Sequence, residues 1–296
     1  MKLTDLSVIR SLLGEEQTSF KKKYGQNFLI NQLVVDRIAD SCGESFDAQK
    51  LGVLEIGPGI GTLSAELCRR YKKVVCVEID ETLLPILDKT LGEFENVKVI
   101  HSDILKIDLQ KLIQMEFADC SEWVVCANLP YYITTPILMF LLESGISFGA
   151  ITVMVQKEVA DRLTAPAGSD AYGSISASIA YYGEAQRLFT VRSGNFVPAP
   201  KVDSAVVRIH LWKEKPICPI QEDLFFLVIK AAFGQRRKTL TNALSAAFPT
   251  VEKEKWIQLL SDCGISPTAR GETLSVLQFA AISDRLAEAL SSDQNK

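Results

Sequence analysis

The stretch Leu51-Gly52-Val53-Leu54-Glu55-Ile56-Gly57-Pro58-Gly59-Ile60-Gly61-Thr62 decides the fold. It opens as a short apolar strand, passes through a glycine-rich turn, and enters a helix carried by Leu63, Leu67 and Cys68. Glycine takes positive φ readily and lets a ligand come against bare main chain. The helix that follows points unpaired N–H groups and the positive end of its dipole at that ligand. A second apolar run, Val74-Val75-Cys76-Val77, ends in Glu78, where a carboxylate can accept from both hydroxyls of a ribose. Strand, glycine turn, helix, strand and terminal acid together describe a nucleoside site. The bland alternative, a tight turn in a purely structural α/β unit, leaves that acid unexplained. The spacing G-P-G-I-G is one residue shorter than the dinucleotide fingerprint and favours S-adenosylmethionine over a dinucleotide.

Working outward, the apolar and polar runs alternate as an open α/β sheet requires. Toward the N-terminus, residues 4–13 read as a helix, and Asn31 caps a second one through Val34, Val35 and Ile38. Between them lies Phe20-Lys21-Lys22-Lys23-Tyr24-Gly25-Gln26-Asn27-Phe28-Leu29, a loop of cations, aromatics and amides suited to phosphate and a flat ring, or to an ordinary surface. Toward the C-terminus, Val97–Ile100 form a third strand followed by Asp103. That side chain can accept from an adenine amine at the ligand rim, or simply cap a turn. Trp123–Ala127 form the fourth strand, ended by Asn128-Leu129-Pro130-Tyr131-Tyr132, since proline bars helix at the residue before it. Thr134 or Thr135 is expected to cap the next helix.

Ala150–Val155 make a fifth, fully buried strand, Ser174–Tyr182 a helix, and Ala185–Val191 with Lys201–Leu211 an antiparallel return at one end of the sheet. Lys213–Pro219 has linker chemistry, and beyond it only helices are legible, the last of them over 274–290. The division expected is therefore a Rossmann-like α/β sheet over 1–215 and a small all-α domain over 216–296.

Composition narrows the class. The chain has 296 residues, 47% hydrophobic and 23% charged, which is an ordinary globular composition with room for two domains. No apolar run is long enough for a membrane span and no signal core opens the chain. Seven cysteines without a C-x-x-C pair, and only His101 and His210, speak against a disulfide framework and against a metal site. A cytoplasmic, metal-free protein is expected. The net charge of −4 argues mildly against nucleic acid, but Lys21–Lys23 and Arg236-Arg237-Lys238 are local clusters able to meet phosphates or simply to face solvent.

The chemistry converges on Asn128. An exocyclic aromatic amine is a poor nucleophile because its lone pair is delocalised. Two acceptors on its N–H groups localise that pair and stabilise the charge that develops. The side-chain oxygen of Asn128 and a main-chain oxygen of the Leu129-Pro130 turn meet this need, and Tyr131 with a second aromatic can clamp a purine. A base within a duplex could not reach such a site, so the target is unpaired or flipped out.

These motifs, together with Val155-Gln156-Lys157-Glu158, Phe196–Ser204 and Phe233–Leu240, closely resemble the ribosomal RNA adenine N6,N6-dimethyltransferase family over nearly the whole chain. The resemblance implies a class I methyltransferase fold. It implies S-adenosyl-L-methionine as cofactor and dimethylation of two adjacent adenosines near the 3′ end of 16S rRNA in the immature small subunit; separately, a monomer is expected. It places Asn27, Leu29, Gly57, Glu78, Asp103 and Asn128 against the cofactor. Asn128, Leu129, Pro130 and Tyr131 would form the transfer site, with Phe196 as the second wall on adenine. Lys21–Lys23, Arg236, Arg237 and Lys238 would meet RNA phosphates. Tyr132 stands where the family commonly has asparagine, and Arg270–Leu274 match only loosely. The alternatives are the related large-subunit methyltransferases of macrolide resistance, an NAD-dependent oxidoreductase, and a non-catalytic assembly or transcription factor on the same fold.

Overall fold

The computed structural model describes residues 1–15, 26–235 and 237–294. The chain divides into two compact units, one of residues 1–160 with 186–211 and one of 161–185 with 212–296.

The first unit is built on a seven-stranded sheet. Its strands are β2 (Leu51–Ile56), β3 (Lys73–Glu78), β4 (Val97–His101), β5 (Glu122–Asn128), β6 (Ala150–Gln156), β7 (Gly183–Val191) and β9 (Ser204–Leu211), in the order β4-β3-β2-β5-β6-β9-β7. The first five are parallel, and β9 joins β6 antiparallel. β1 (Phe28–Leu29) and β8 (Phe196–Val197) form a separate antiparallel pair, with Leu29 opposite Phe196. That pair was not legible in the local sequence, because two residues carry no periodicity.

Parallel strands covered on both faces must be apolar on both, and register shows it. Val74, Val53 and Val124 align across β3, β2 and β5 on one face, and Val75, Leu54, Val125, Ile151 and Ile209 on the other, all fully buried. On the first face the row packs against Val35, Ile38 and Cys42 of α2 (Gln32–Cys42) and Leu63 and Leu67 of α3 (Thr62–Arg70). Each such side chain contributes roughly 1.5–3 kcal/mol by leaving water. The expected cap at Asn31 is present, its side-chain oxygen accepting from Leu33 N–H at 3.1 Å. α1 (Leu6–Glu15) and α4 (Leu84–Leu91) bury Ile9, Leu12, Ile86 and Leu87 in a second cluster, α5 (Leu109–Glu116) buries Leu109, Leu112 and Ile113, and α7 (Lys157–Leu163) follows β6 directly.

One local expectation is corrected. Neither Thr134 nor Thr135 caps α6 (Thr134–Glu143); Ile133 stands at the cap, and Thr134 Oγ1 instead donates to the Pro130 carbonyl at 3.1 Å. Thr134 already lies inside the first turn, where its hydroxyl points back to the carbonyl four residues earlier.

In the second unit α8 (Ser174–Tyr182), α9 (Glu222–Gly234), α10 (Leu240–Ala247), α11 (Lys253–Asp262) and α12 (Val276–Gln294) surround Tyr181, Phe225, Trp256 and Phe279, all buried. Tyr182 and Phe226 stack at 5.7 Å between ring centroids. The contacts place residues 161–185 with these helices, whereas linker chemistry divides the sequence near 215. No helix of the described residues is long and apolar enough to cross a membrane.

Candidate active site

The sheet reverses its winding between β2 and β5: β3 and β4 lie to one side, β6 and β9 to the other. At such a switch point the connections leave in opposite directions and open a crevice beyond the carboxyl ends of the strands. A cavity of about 1040 Å³, counting its open mouth, lies there. Its walls come from segments 26–29, 55–59, 77–79, 102–104 and 128–133. Asn27, Leu29, Gly57, Glu78, Asp103, Asn128, Leu129, Pro130 and Tyr131 all line it: parallel register brings the strand ends together, and the antiparallel β1–β8 pair with the Asn128–Asn27 hydrogen bond brings in Asn27 and Leu29.

The glycine turn forms the floor. Gly57, Gly59 and Gly61 have φ of 69°, 62° and 86°, the left-handed region that side chains avoid. Gly57 N–H donates to the Val77 carbonyl at 2.9 Å, which pins the turn to β3. No heavy atom stands within 4 Å of the place a Cβ on Gly57 would occupy, so the main chain there is bare toward the cavity.

Glu78, buried, spans the turn. Its Oε2 accepts Gly59 N–H at 3.2 Å and its Oε1 accepts Asp80 N–H at 2.8 Å, which leaves acceptor capacity on both oxygens. Burial raises its pKa, an effect the two main-chain donors oppose. Glu55, one strand over and 1% exposed, is pushed up to about 7, chiefly by burial. Cys76 Sγ donates to its Oε2 at 3.4 Å. Asp103 lines the cavity, and its Oδ1 accepts Leu105 N–H at 3.1 Å as a cap.

At the end of β5 the acceptors are sorted. Asn128 Nδ2 donates to the main-chain oxygen of Asn27 at 3.2 Å, which sets the orientation of the carboxamide. Its Oδ1 takes no hydrogen bond among the described residues. Leu129 N–H is used by the Met154 carbonyl at 3.2 Å, while the Leu129 carbonyl is unclaimed among the described residues. The Pro130 carbonyl accepts Ile133 N–H at 3.2 Å and Thr134 Oγ1 at 3.1 Å, so it is already engaged. Sequence left the choice between these two carbonyls open. Tyr131 is half-buried, its hydroxyl 2.7 Å from Ser204 Oγ, and Tyr132 beside it is 61% exposed at the mouth.

Phe196 is placed elsewhere. It does not line the cavity but sits in the core with Val35, Met154, Val191 and Val206, 3% exposed. As a wall on a purine it would first have to leave that core. Lys21–Lys23 and Arg236 lie outside the described residues; Arg237 and Lys238 are exposed. Two residues reasoning from sequence overlooked are Asp80 and Ser204. Asp80 had a usable signal, an acid directly before a helical turn, and it caps the turn at Glu81–Leu83. Ser204 had none, since a serine opening a strand is unremarked without its distant partner.

The strand order and the switch-point cavity define a Rossmann-like fold of the class I methyltransferase type, and solved structures share it. The fold matches a dimethyladenosine transferase from Plasmodium falciparum with a TM-score of 0.72, at 23% identity, over 89% of this chain and 98% of that one. It matches the 23S rRNA methyltransferase ErmE with a TM-score of 0.66, at 24% identity, over 88% of this chain and 100% of that one. A family model for ribosomal RNA adenine dimethylase matches residues 17–288. Among similar proteins, the ribosomal RNA small subunit methyltransferase A of Bacillus licheniformis is 48% identical over 95% of this chain and 96% of its own. That of Geobacillus thermodenitrificans is 47% identical over 94% of each. The chain belongs to the ribosomal RNA adenine dimethylase family.

Proposed function

We propose that this enzyme uses S-adenosyl-L-methionine to dimethylate the N6 amines of two adjacent adenosines near the 3′ end of 16S rRNA, during assembly of the small ribosomal subunit. The observation that carries the reading is the shared cavity. The nucleoside-type floor at Gly57–Gly61 and the paired acceptors at Asn128 and Leu129 open into one space. The names of the relatives at 47–48% identity support the small-subunit substrate.

The residues fit the cofactor. Bare main chain at Gly57 accommodates a bulky ligand, and Glu78 keeps a lone pair on each oxygen for ribose hydroxyls. Asp103, beyond the next strand, retains its second oxygen for an amine. When bound, the cofactor supplies an activated methyl group on a sulfonium. Asn128 Oδ1 and the Leu129 carbonyl hold the two hydrogens of the target amine, turning its lone pair outward along one direction. Tyr131 offers a ring face for the purine, steadied through Ser204. Holding both reactants in line supplies several kcal/mol of the barrier. No residue of special pKa is required, because the alkylated nitrogen becomes acidic and releases its proton to water. The C-terminal helices with Arg237 and Lys238, and the lysines at 21–23, serve as the RNA-binding surfaces in this reading.

The test is methyl mapping by primer extension on both rRNAs, from small- and large-subunit particles lacking these methyl groups, after incubation with the protein and labelled cofactor. Label at two adjacent adenosines of the small-subunit RNA is expected. Label in the large-subunit RNA alone would reject the substrate assignment, and failure to retain the cofactor in calorimetry would reject the cofactor.

A further inference from the structure

Segment 26–30 is tied down at three places. At its start, Gln26 Nε2 donates to Asp80 Oδ2 at 2.9 Å, across 54 residues of sequence. In its middle, the Asn27 carbonyl accepts the Asn128 carboxamide at 3.2 Å, across 101 residues. At its end, Phe28 and Leu29 pair with Val197 and Phe196, and Ile30 N–H donates to the Asn195 carbonyl at 2.9 Å. Asp80 is itself fixed, 2% exposed, with Oδ1 accepting Thr82 N–H at 3.2 Å and Thr82 Oγ1 at 2.7 Å. Its own N–H reaches Glu78 Oε1 at 2.8 Å.

A chain of contacts thus runs from Glu78 through Asp80 and Gln26 to Asn27 and Asn128, from the cofactor end of the cavity to the amine-holding end. Gln26 and Asn27 are neighbours in sequence, so anchoring one side chain fixes where the next carbonyl points. That carbonyl is the group that decides which end of the Asn128 carboxamide faces the cavity. A carboxamide turned by half a rotation would present N–H groups to an amine that itself bears N–H groups, and transfer would fail.

We infer that Gln26 and Asp80 are positioning residues for methyl transfer, whose hydrogen bond holds the Asn27 carbonyl where it keeps the Asn128 oxygen toward the target amine. The inference rests on the proposed transfer reaction. A bond to a buried carboxylate is the stronger kind, and the anchor is rigid because Asp80 is held on three sides. Neither residue needs to touch the methyl group or the adenine for this role.

The experiment compares the full-length chain with Gln26→Ala, Asp80→Ala, Asp80→Asn and the double alanine variant. Single-turnover transfer to small-subunit particles lacking the methyl groups is measured at saturating cofactor. Cofactor Kd is measured by calorimetry, and the Asn128 side-chain amide is followed by nitrogen NMR. Gln26→Ala and Asp80→Ala are each expected to slow transfer about tenfold or more, to change cofactor Kd less than about threefold, and to shift the Asn128 amide signal. The double variant should be no slower than either single one. Asp80→Asn keeps one oxygen for Thr82 and can donate its new side-chain N–H to Gln26 Oε1 once the Gln26 amide is turned over, so it should recover most of the lost rate. Transfer by Gln26→Ala at the wild-type rate with an unmoved Asn128 signal would overturn the inference. So would a loss lying wholly in cofactor Kd, which would make Gln26 a cofactor-binding group. If Gln26→Ala does not fold, the contrast between Asp80→Asn and Asp80→Ala decides alone: equal rates overturn the inference. Absence of transfer by the wild-type chain would instead bring down the proposed function.

Discussion

The hydroxyl of Tyr131 lies 2.7 Å from Ser204 Oγ, a contact between the turn that ends β5 and the first residue of β9. It anchors an aromatic ring at the cavity wall through a serine that is fully buried. Tyr131→Phe keeps the ring but leaves that serine without its partner. A loss of about 1 kcal/mol in unfolding free energy is expected, with transfer slowed several-fold and cofactor affinity unchanged. Tyr131→Ala removes the stacking face as well, worth about 1–3 kcal/mol per base. Urea denaturation and single-turnover transfer on the two variants check the separation.

Asn128→Ala removes one of the two amine acceptors. Transfer should fall about 10²–10³-fold, as loss of a charge-stabilising group does elsewhere, while cofactor Kd stays within an order of magnitude. Equal single-turnover rates for variant and wild type would take Asn128 out of the reaction.

Glu78→Ala should act on binding first. It removes a carboxylate that bridges Gly59 and Asp80 N–H groups and leaves two donors without acceptors at the turn. With charge-assisted hydrogen bonds worth about 1.5–3 kcal/mol, cofactor Kd should rise at least about tenfold. Calorimetric titration reads this directly.

The buried carboxyl of Glu55 makes stability depend on pH. Its pKa in the folded chain is raised to about 7 from 4.5, so the folded state holds the proton more tightly than the unfolded state. The stability this contributes is full below the unfolded value and is lost as pH rises through about 7. Glu55→Gln should therefore gain on the wild type by about 2 kcal/mol between about pH 5 and about pH 8, from a shift of 1.36 kcal/mol per pKa unit. Denaturant midpoints at the two pH values test it; a difference independent of pH would show the carboxyl ionised throughout.

Gly57→Ala tests the turn by conformation alone. There is open space for the methyl group, but φ of 69° strains any side chain. A cost of about 1–2 kcal/mol in stability follows, together with weaker cofactor binding because the methyl group enters the cavity. Thermal unfolding with and without cofactor separates the two effects.

Most of the elements were legible in the sequence because their signals are local. Leu51–Ile56 reads as a buried strand from its own residues, Asn31 as a cap from its place before an apolar run, and Asn128-Leu129-Pro130 as a strand end from the proline ring. Short-range sterics and periodicity act within a few residues and leave their mark there. The same holds for the candidate site as a set of residue types: the glycine turn, the acids after two strands, and the amide beside a proline.

What tertiary structure alone decided is which of these groups face one another and which lone pairs remain. That the Pro130 carbonyl is consumed by Thr134 and Ile133, and the Leu129 carbonyl is not, depends on how the turn meets α6. That Phe196 is in the core rather than in the cavity wall follows from the pairing of β1 with β8, which sets Phe196 opposite Leu29 and Val197 opposite Phe28. The links Gln26–Asp80 and Asn27–Asn128, and the grouping of residues 161–185 with the C-terminal helices, are likewise long-range. Local preference carries no information about partners so distant; sheet register and the burial of apolar faces select them together, once the chain has closed on itself.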